Sequence, residues 1–172
     1  MRTLIALIIW IILAATANAA ERAVTPDDAK AIFARLKKLE GAWTARSTKG
    51  WTERNTYEVA GKGSVVINRS VFEGEPNDGM MTTFFLDVDR LLLTHYCEAR
   101  NQPTLVATTI DDATRRVVFR FVSGTNMKSR DTGHMHSHAI EFVDDDHLRS
   151  SWSWYGDGKE RWFEDIEQVR TR

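Results

Sequence analysis

From Gly41 to the C-terminus the chain carries no second segment with helical apolar spacing, only short β-rich runs broken by turn-like residues. That restricts it to one helix and many strands. The helical stripe comes first: Ala29, Ile32, Phe33, Leu36 and Leu39 recur at helical spacing. Thr25 suits the cap, Pro26 the first helical position, Asp27 and Asp28 the first turn, and Gly41 the stop. After Gly41 the period shifts toward two. Trp43, Ala45 and Ser47 alternate with Thr44 and Arg46, and Trp51, Glu53, Asn55, Tyr57 and Val59 share one face of the next run. Further runs follow, separated by strings such as Gly61-Lys62-Gly63, Asp87-Val88-Asp89 and Gly156-Asp157-Gly158. Roughly nine or ten strands result. Their lack of intervening helices argues against βαβ units. The fold class expected is mainly β: an antiparallel up-and-down barrel of about 8–10 strands, closed so that no edge is exposed, with an N-terminal helix over one end. A β-sandwich is the structural rival.

The N-terminus sets the expected compartment. Met1 and Arg2 precede an uncharged apolar run from Leu4 to Ala15, and Ala17-Asn18-Ala19 has the small-x-small pattern of a cleavage site. This is the order of a secretory signal peptide, and the run is shorter than the roughly 20 residues of a spanning helix. The expected organisation is a signal peptide over 1–19, a linker and helix over 20–40, and the barrel domain over 41–172. A periplasmic or secreted protein follows, with no stable membrane insertion once the leader is cleaved. The remaining length, about 150 residues, suits a single core. A formal net charge of -1 with interspersed signs argues against a nucleic-acid partner. The single cysteine, Cys97, allows no internal disulfide.

Strand periodicity nominates inward side chains. Leu91, Leu93, His95 and Cys97 share a face, as do Leu148, Ser150, Trp152 and Trp154. His134, His136, His138, Ile140 and Phe142 share another, provided no bulge reverses the assignment. The expected interior is therefore a mostly apolar pocket tipped by His95, His136, His138 and Trp152. The polar segment 123–133 is long for a hairpin, and reads as a lid or a mobile loop.

Five strings stand out together: Leu39-Glu40-Gly41-Ala42-Trp43, Leu93-Thr94-His95-Tyr96-Cys97, Asn101-Gln102-Pro103, Gly133-His134-Met135-His136 and Trp154-Tyr155-Gly156-Asp157-Gly158-Lys159. In combination they resemble bacterial, often exported, lipocalin-like or calycin-type domains of largely uncharacterised function. On that resemblance Gly41 and Trp43 match the Gly-x-Trp element that opens the first strand and closes the barrel floor, and His95, Asn101 and His136 match recurrent polar positions. It implies non-enzymatic binding or transport of a small, mostly apolar molecule. The candidate ligand-binding residues are His95, Cys97, Asn101, His136, His138 and Trp152. No catalytic or metal-ligating residue is assigned and no cofactor is expected. Two alternatives stay open. The same histidines could serve an enzyme, a transition metal or a haem iron, or the barrel could be a structural or assembly domain with a solid core. A protein partner is not specified.

Overall fold

A computed structural model describes residues 21–74 and 79–171. The leader expected over 1–19 lies outside them, as do residues 75–78. A two-residue strand β1 (Arg22–Ala23) precedes helix α1 (Pro26–Lys37). Ten longer strands follow: β2 (Gly41–Ser47), β3 (Thr52–Ala60), β4 (Val65–Phe72), β5 (Gly79–Asp87), β6 (Arg90–Tyr96), β7 (Gln102–Asp111), β8 (Arg116–Thr125), β9 (His134–Phe142), β10 (His147–Gly156) and β11 (Lys159–Arg170). Each pairs antiparallel with the next, and β11 returns to β2 with Ile166 opposite Ser47 and Arg170 opposite Trp43. The meander is thus a closed ten-stranded barrel rather than a sandwich. Among the described residues, no helix is long and apolar enough to cross a membrane.

Local chemistry accounts for the elements. Thr25 and Asp28 form a capping box: the Asp28 N–H donates to Thr25 Oγ1 at 3.2 Å, and the Thr25 N–H donates to Asp28 Oδ2 at 2.9 Å. The helix buries Ala29, Ile32, Phe33 and Leu36, packing on β5 and β6 at the end of the barrel where β2 begins. Leu91, Leu93, Leu105, Val117, Phe119, Phe142 and Leu148 complete the apolar core there. Past Val106, β7 leaves β6, and its free edge is taken by β1, with Arg22 opposite Ile110.

The floor of this end is built on Trp43 and Arg170. Trp43 is fully enclosed, and its indole N–H donates to the Leu39 carbonyl at 2.8 Å. The Arg170 guanidinium lies over the indole at 4.4 Å. It donates to the carbonyls of Lys38 at 2.9 Å and Glu40 at 2.9 Å, and to Asp146 Oδ1 at 3.1 Å. A cation thereby satisfies carbonyls that the end of α1 leaves unpaired. Gly41 makes the passage from helix to strand: its φ of +129° suits glycine, and a Cβ there would come within 3.3 Å of Arg170 Nη1.

Two bulges flank β10. Ser153 opposes Ser137 and Trp154 opposes Met135, which leaves His136 as the extra residue on β9. Trp152 opposes Glu164 and Ser153 opposes Trp162, which leaves Phe163 as the extra residue on β11. Both lie toward the end of the barrel opposite α1 and re-aim side chains there.

Trp43→Ala is expected to lower unfolding free energy in urea by about 3–5 kcal/mol, through a cavity and the lost stack under Arg170. Val88 offers the opposite test. It is 90% exposed and holds φ +58° at the first position of the two-residue β5–β6 turn. Left-handed backbone is costly for a β-branched side chain and tolerated by Asn, so Val88→Asn should raise stability by about 1 kcal/mol.

Candidate functional site

The inner wall changes character along the barrel axis. Above the apolar floor the inward positions become polar. Glu53, Asn55 and Tyr57 alternate along β3; Asn68 and Ser70 come from β4, Thr82 from β5, His95 from β6, His138 from β9, Ser150 and Trp152 from β10, and Glu164 and Gln168 from β11. They surround a cavity of about 40 Å³. That is room for water or the tip of a ligand, far below the roughly 300–1,000 Å³ of a typical small-molecule pocket. The donors in this belt are largely engaged. Asn55 Nδ2 and the Tyr57 hydroxyl both donate to Gln168 Oε1 at 3.1 Å, and the Ser47 hydroxyl donates to Glu164 Oε2 at 2.5 Å. Asn55 Oδ1 and His95 Nε2 are buried without a hydrogen-bond partner within the protein.

Beyond the belt the barrel opens into a bowl of about 570 Å³. Its walls are Trp51, Phe72, Cys97, Trp154 and Phe163, and Met80, Met135 and Glu164 line both the bowl and the inner cavity. Trp51 meets Phe72 edge-on, with centroids 5.9 Å apart and planes at 81°, and Phe163 at 6.4 Å. Trp154 owes its position to glycines. A Cβ on Gly133 would fall 2.6 Å from its Cζ2, and one on Gly156 would fall 2.8 Å from its Nε1. A second depression, of about 500 Å³, lies on the outer face around Arg46, Arg116, Glu141, Arg149 and Glu167. There Arg149 pairs with Glu141 at 3.2 Å, and Arg116 with Glu21 at 3.3 Å, so much of its charge is already paired.

The residues nominated from the sequence separate into four places. His95, His138 and Trp152 meet inside: Trp152 stacks on His138 with centroids 3.8 Å apart and planes at 23°, and lies 4.7 Å from His95. The His138 Nδ1–H donates to the Ser151 carbonyl at 3.1 Å, and His95 Nδ1 is 2.9 Å from the Thr82 hydroxyl. Cys97 reaches the bowl. His136 does not face inward as its spacing from His138 suggested, because it is the bulged residue; Met135 takes the inward position instead. On the outer face His136 stacks with Phe121 and Tyr155, and its Nδ1 is 2.9 Å from His134 Nε2. His134 Nδ1 is in turn 2.6 Å from the Thr132 carbonyl. A carbonyl only accepts, so His134 donates from Nδ1 and accepts from His136 at Nε2. Asn101 lines neither cavity. Its Nδ2 donates to the Gly133 carbonyl at 2.8 Å and ties the β8–β9 loop to the β6–β7 turn. The interior carboxylates Glu53 and Glu164 were not nominated. Their signal was present in the alternation, since Glu53 shares a face with Trp51 and Tyr57, and Glu164 with Ile166. Among the described residues, no three or more His, Cys, Asp or Glu side chains are grouped so as to hold a metal ion.

No family model and no curated protein matches the chain. Among solved structures it is similar to a protein of unknown function from the DUF3598 family of Nostoc punctiforme, at 11% identity and a TM-score of 0.49 over 79% of this chain and 49% of the other. The chain thus spans about half the length of that neighbour.

Burial governs the protonation of the belt. Desolvation, and then the nearby Glu164, raises the Glu53 carboxyl to about 7, while Glu164 is itself raised by burial. Desolvation lowers His95 to about 4 and His138 to about 3, so both are neutral imidazoles, and it lowers His136 as well. Between the ordinary carboxyl value of 4.5 and about 7, native Glu53 keeps a proton that the unfolded chain releases; its contribution to stability is lost as pH rises through that window. The two buried histidines act oppositely. Below their ordinary value of 6.5 the unfolded chain takes up protons that the native chain refuses, so their contribution is lost as pH falls toward 4 and 3. Glu164, also raised, acts in the direction of Glu53, and His136, also lowered, in that of the two buried histidines. Two histidines outweigh one Glu53, so stability should rise from pH 4.5 to 6.5 by up to about 1.4 kcal/mol per pH unit. Urea midpoints across that range test this. Glu53→Gln should steepen the rise and make the protein more stable than wild type at pH 8, where the buried charge is gone.

Proposed function

We propose that the protein binds a small, mostly apolar ligand in the bowl at the open end of the barrel, with the ligand's polar end directed through the gap between Met80 and Met135 toward Glu164 and the polar belt. The observation that carries this reading is the continuity of a 570 Å³ aromatic bowl with a 40 Å³ polar cavity through three shared residues. The bowl has the size of a small-molecule site, and its predominantly apolar walls supply affinity by removing ligand surface from water. The polar cavity supplies orientation. The barrel centre has no room for a whole ligand, so binding is at the mouth rather than in a hollow core. On this reading the protein is a lipocalin-like carrier of the cell envelope, exported by its leader and performing no covalent chemistry. Its ligand contacts are Trp51, Phe72, Met80, Cys97, Met135 and Trp154. His95, His138 and Trp152 lie beneath and hold the floor of the site.

An environment-sensitive naphthalene dye titrated into the purified protein should bind with a blue-shifted emission and quench Trp51 and Trp154. Cys97→Trp, which places a large ring inside the bowl, should weaken dye binding by about tenfold or more while leaving the urea midpoint nearly unchanged. Equal binding by wild type and Cys97→Trp would remove the bowl as the site.

A further inference from the structure

The walls of the site carry charge of one sign. Of the described residues lining the bowl and the inner cavity, those with formal charge are Glu53, Glu73, Glu98 and Glu164, and no Lys or Arg is among them. Glu53 and Glu164 lie deepest, each about 3% exposed. Burying two carboxylates together is costly unless something offsets the charge. Within the protein the offset is incomplete: Glu164 accepts from the Ser47 hydroxyl, Lys49 acts on it only at longer range, and Asp165 opposes it, while the Trp51 indole N–H faces both carboxylates and the Asn55 amide faces Glu53, and neither brings a positive charge. Around the cavity the neighbouring groups are Tyr57, whose hydroxyl is spent on Gln168, and His95 and His138, both neutral.

Hydrogen-bond capacity points the same way. Asn55 is 3% exposed, lines the cavity, and its Oδ1 has no donor. Of the amide's two N–H donors, one is given to Gln168 and the side chain also helps to hold the Glu53 carboxylate. Asn55 Oδ1 is an acceptor left over beside the carboxylates, and together they call for a ligand that brings donors and positive charge. Above them stand the rings of Trp51, Phe72 and Phe163, whose faces attract cations.

We propose that the ligand is an organic cation, an amine whose apolar body occupies the bowl and whose ammonium group is received by Glu164, Glu53 and Asn55 Oδ1. This rests on the bowl being the binding site. It adds that anionic amphiphiles such as fatty acids are rejected. Binding is linked to proton release: Glu53 holds a proton near neutrality in the empty site and gives it up when the ammonium arrives.

The test compares three probes with one apolar body, 2-(1-naphthyl)ethylamine, 2-(1-naphthyl)ethanol and 3-(1-naphthyl)propanoate, titrated at pH 8 by calorimetry with tryptophan fluorescence. The amine should bind about tenfold or more tighter than the alcohol, and the carboxylate weakest, as expected for charge-assisted hydrogen bonds. Glu53→Gln and Glu164→Gln should each erase most of the amine's advantage over the alcohol, and urea midpoints at pH 8 no lower than that of wild type show that the variants are folded. Amine affinity should fall as pH drops from 8 to 6, approaching tenfold per unit below 7, while the alcohol's stays level. An alcohol or carboxylate that binds as tightly as the amine overturns the cation and leaves the bowl standing. Failure of all three to bind overturns both.

Discussion

The barrel depends on a single junction, where the Arg170 guanidinium lies over the Trp43 indole and donates to the Lys38 and Glu40 carbonyls that follow α1. Three requirements meet there. The helix must end without leaving carbonyls unpaired, the last strand must find the first, and the floor must exclude water. Trp43 and Arg170 are direct partners across the closing β2–β11 pair, so the contact that caps the helix also fixes the register of closure. Gly41 lets the chain turn from helix into strand beneath the guanidinium. Without this junction the sheet would present two long edges, the usual route to aggregation in an open meander.

Because the floor is sealed by apolar packing, the rest of the interior can be polar. A buried polar group is tolerated where hydrogen bonds replace those lost to water. The Asn55–Gln168–Tyr57 triangle and the Ser47–Glu164 bond do this for part of the belt. They do not do it for Asn55 Oδ1, for His95 Nε2, or fully for Glu53. A protein whose only task was stability would gain from apolar residues at these positions. Their grouping beneath an open aromatic bowl is what the proposed binding site rests on.

The two bulges beside β10 shape that end. One swings Met135 into the bowl and sends His136 outward; the other places Phe163 on the bowl wall and Glu164 beneath it. A regular strand would have carried His136 inward beside His138. The pleat therefore decides which chemistry faces the bowl, imidazole or thioether, through one extra residue.

Amino-acid order alone determined the helix, the strand count and the turns, because capping residues, glycines and period-two alternation act over a few neighbouring positions. It also showed which side chains share a face wherever a strand runs without a bulge: Leu91, Leu93 and His95 point inward as their spacing requires, as do Ser150 and Trp152. The tertiary structure decided the rest. His136 lies outside because a bulge is set by pairing with β10, which residue spacing within β9 does not encode. Asn101 serves a loop tie because its partner, the Gly133 carbonyl, is 32 positions away. Glu53 and Glu164 come together only because β11 closes on β2, next to β3, bringing residues more than a hundred positions apart into one desolvated space where burial raises both and Glu164 strengthens the hold of Glu53 on its proton.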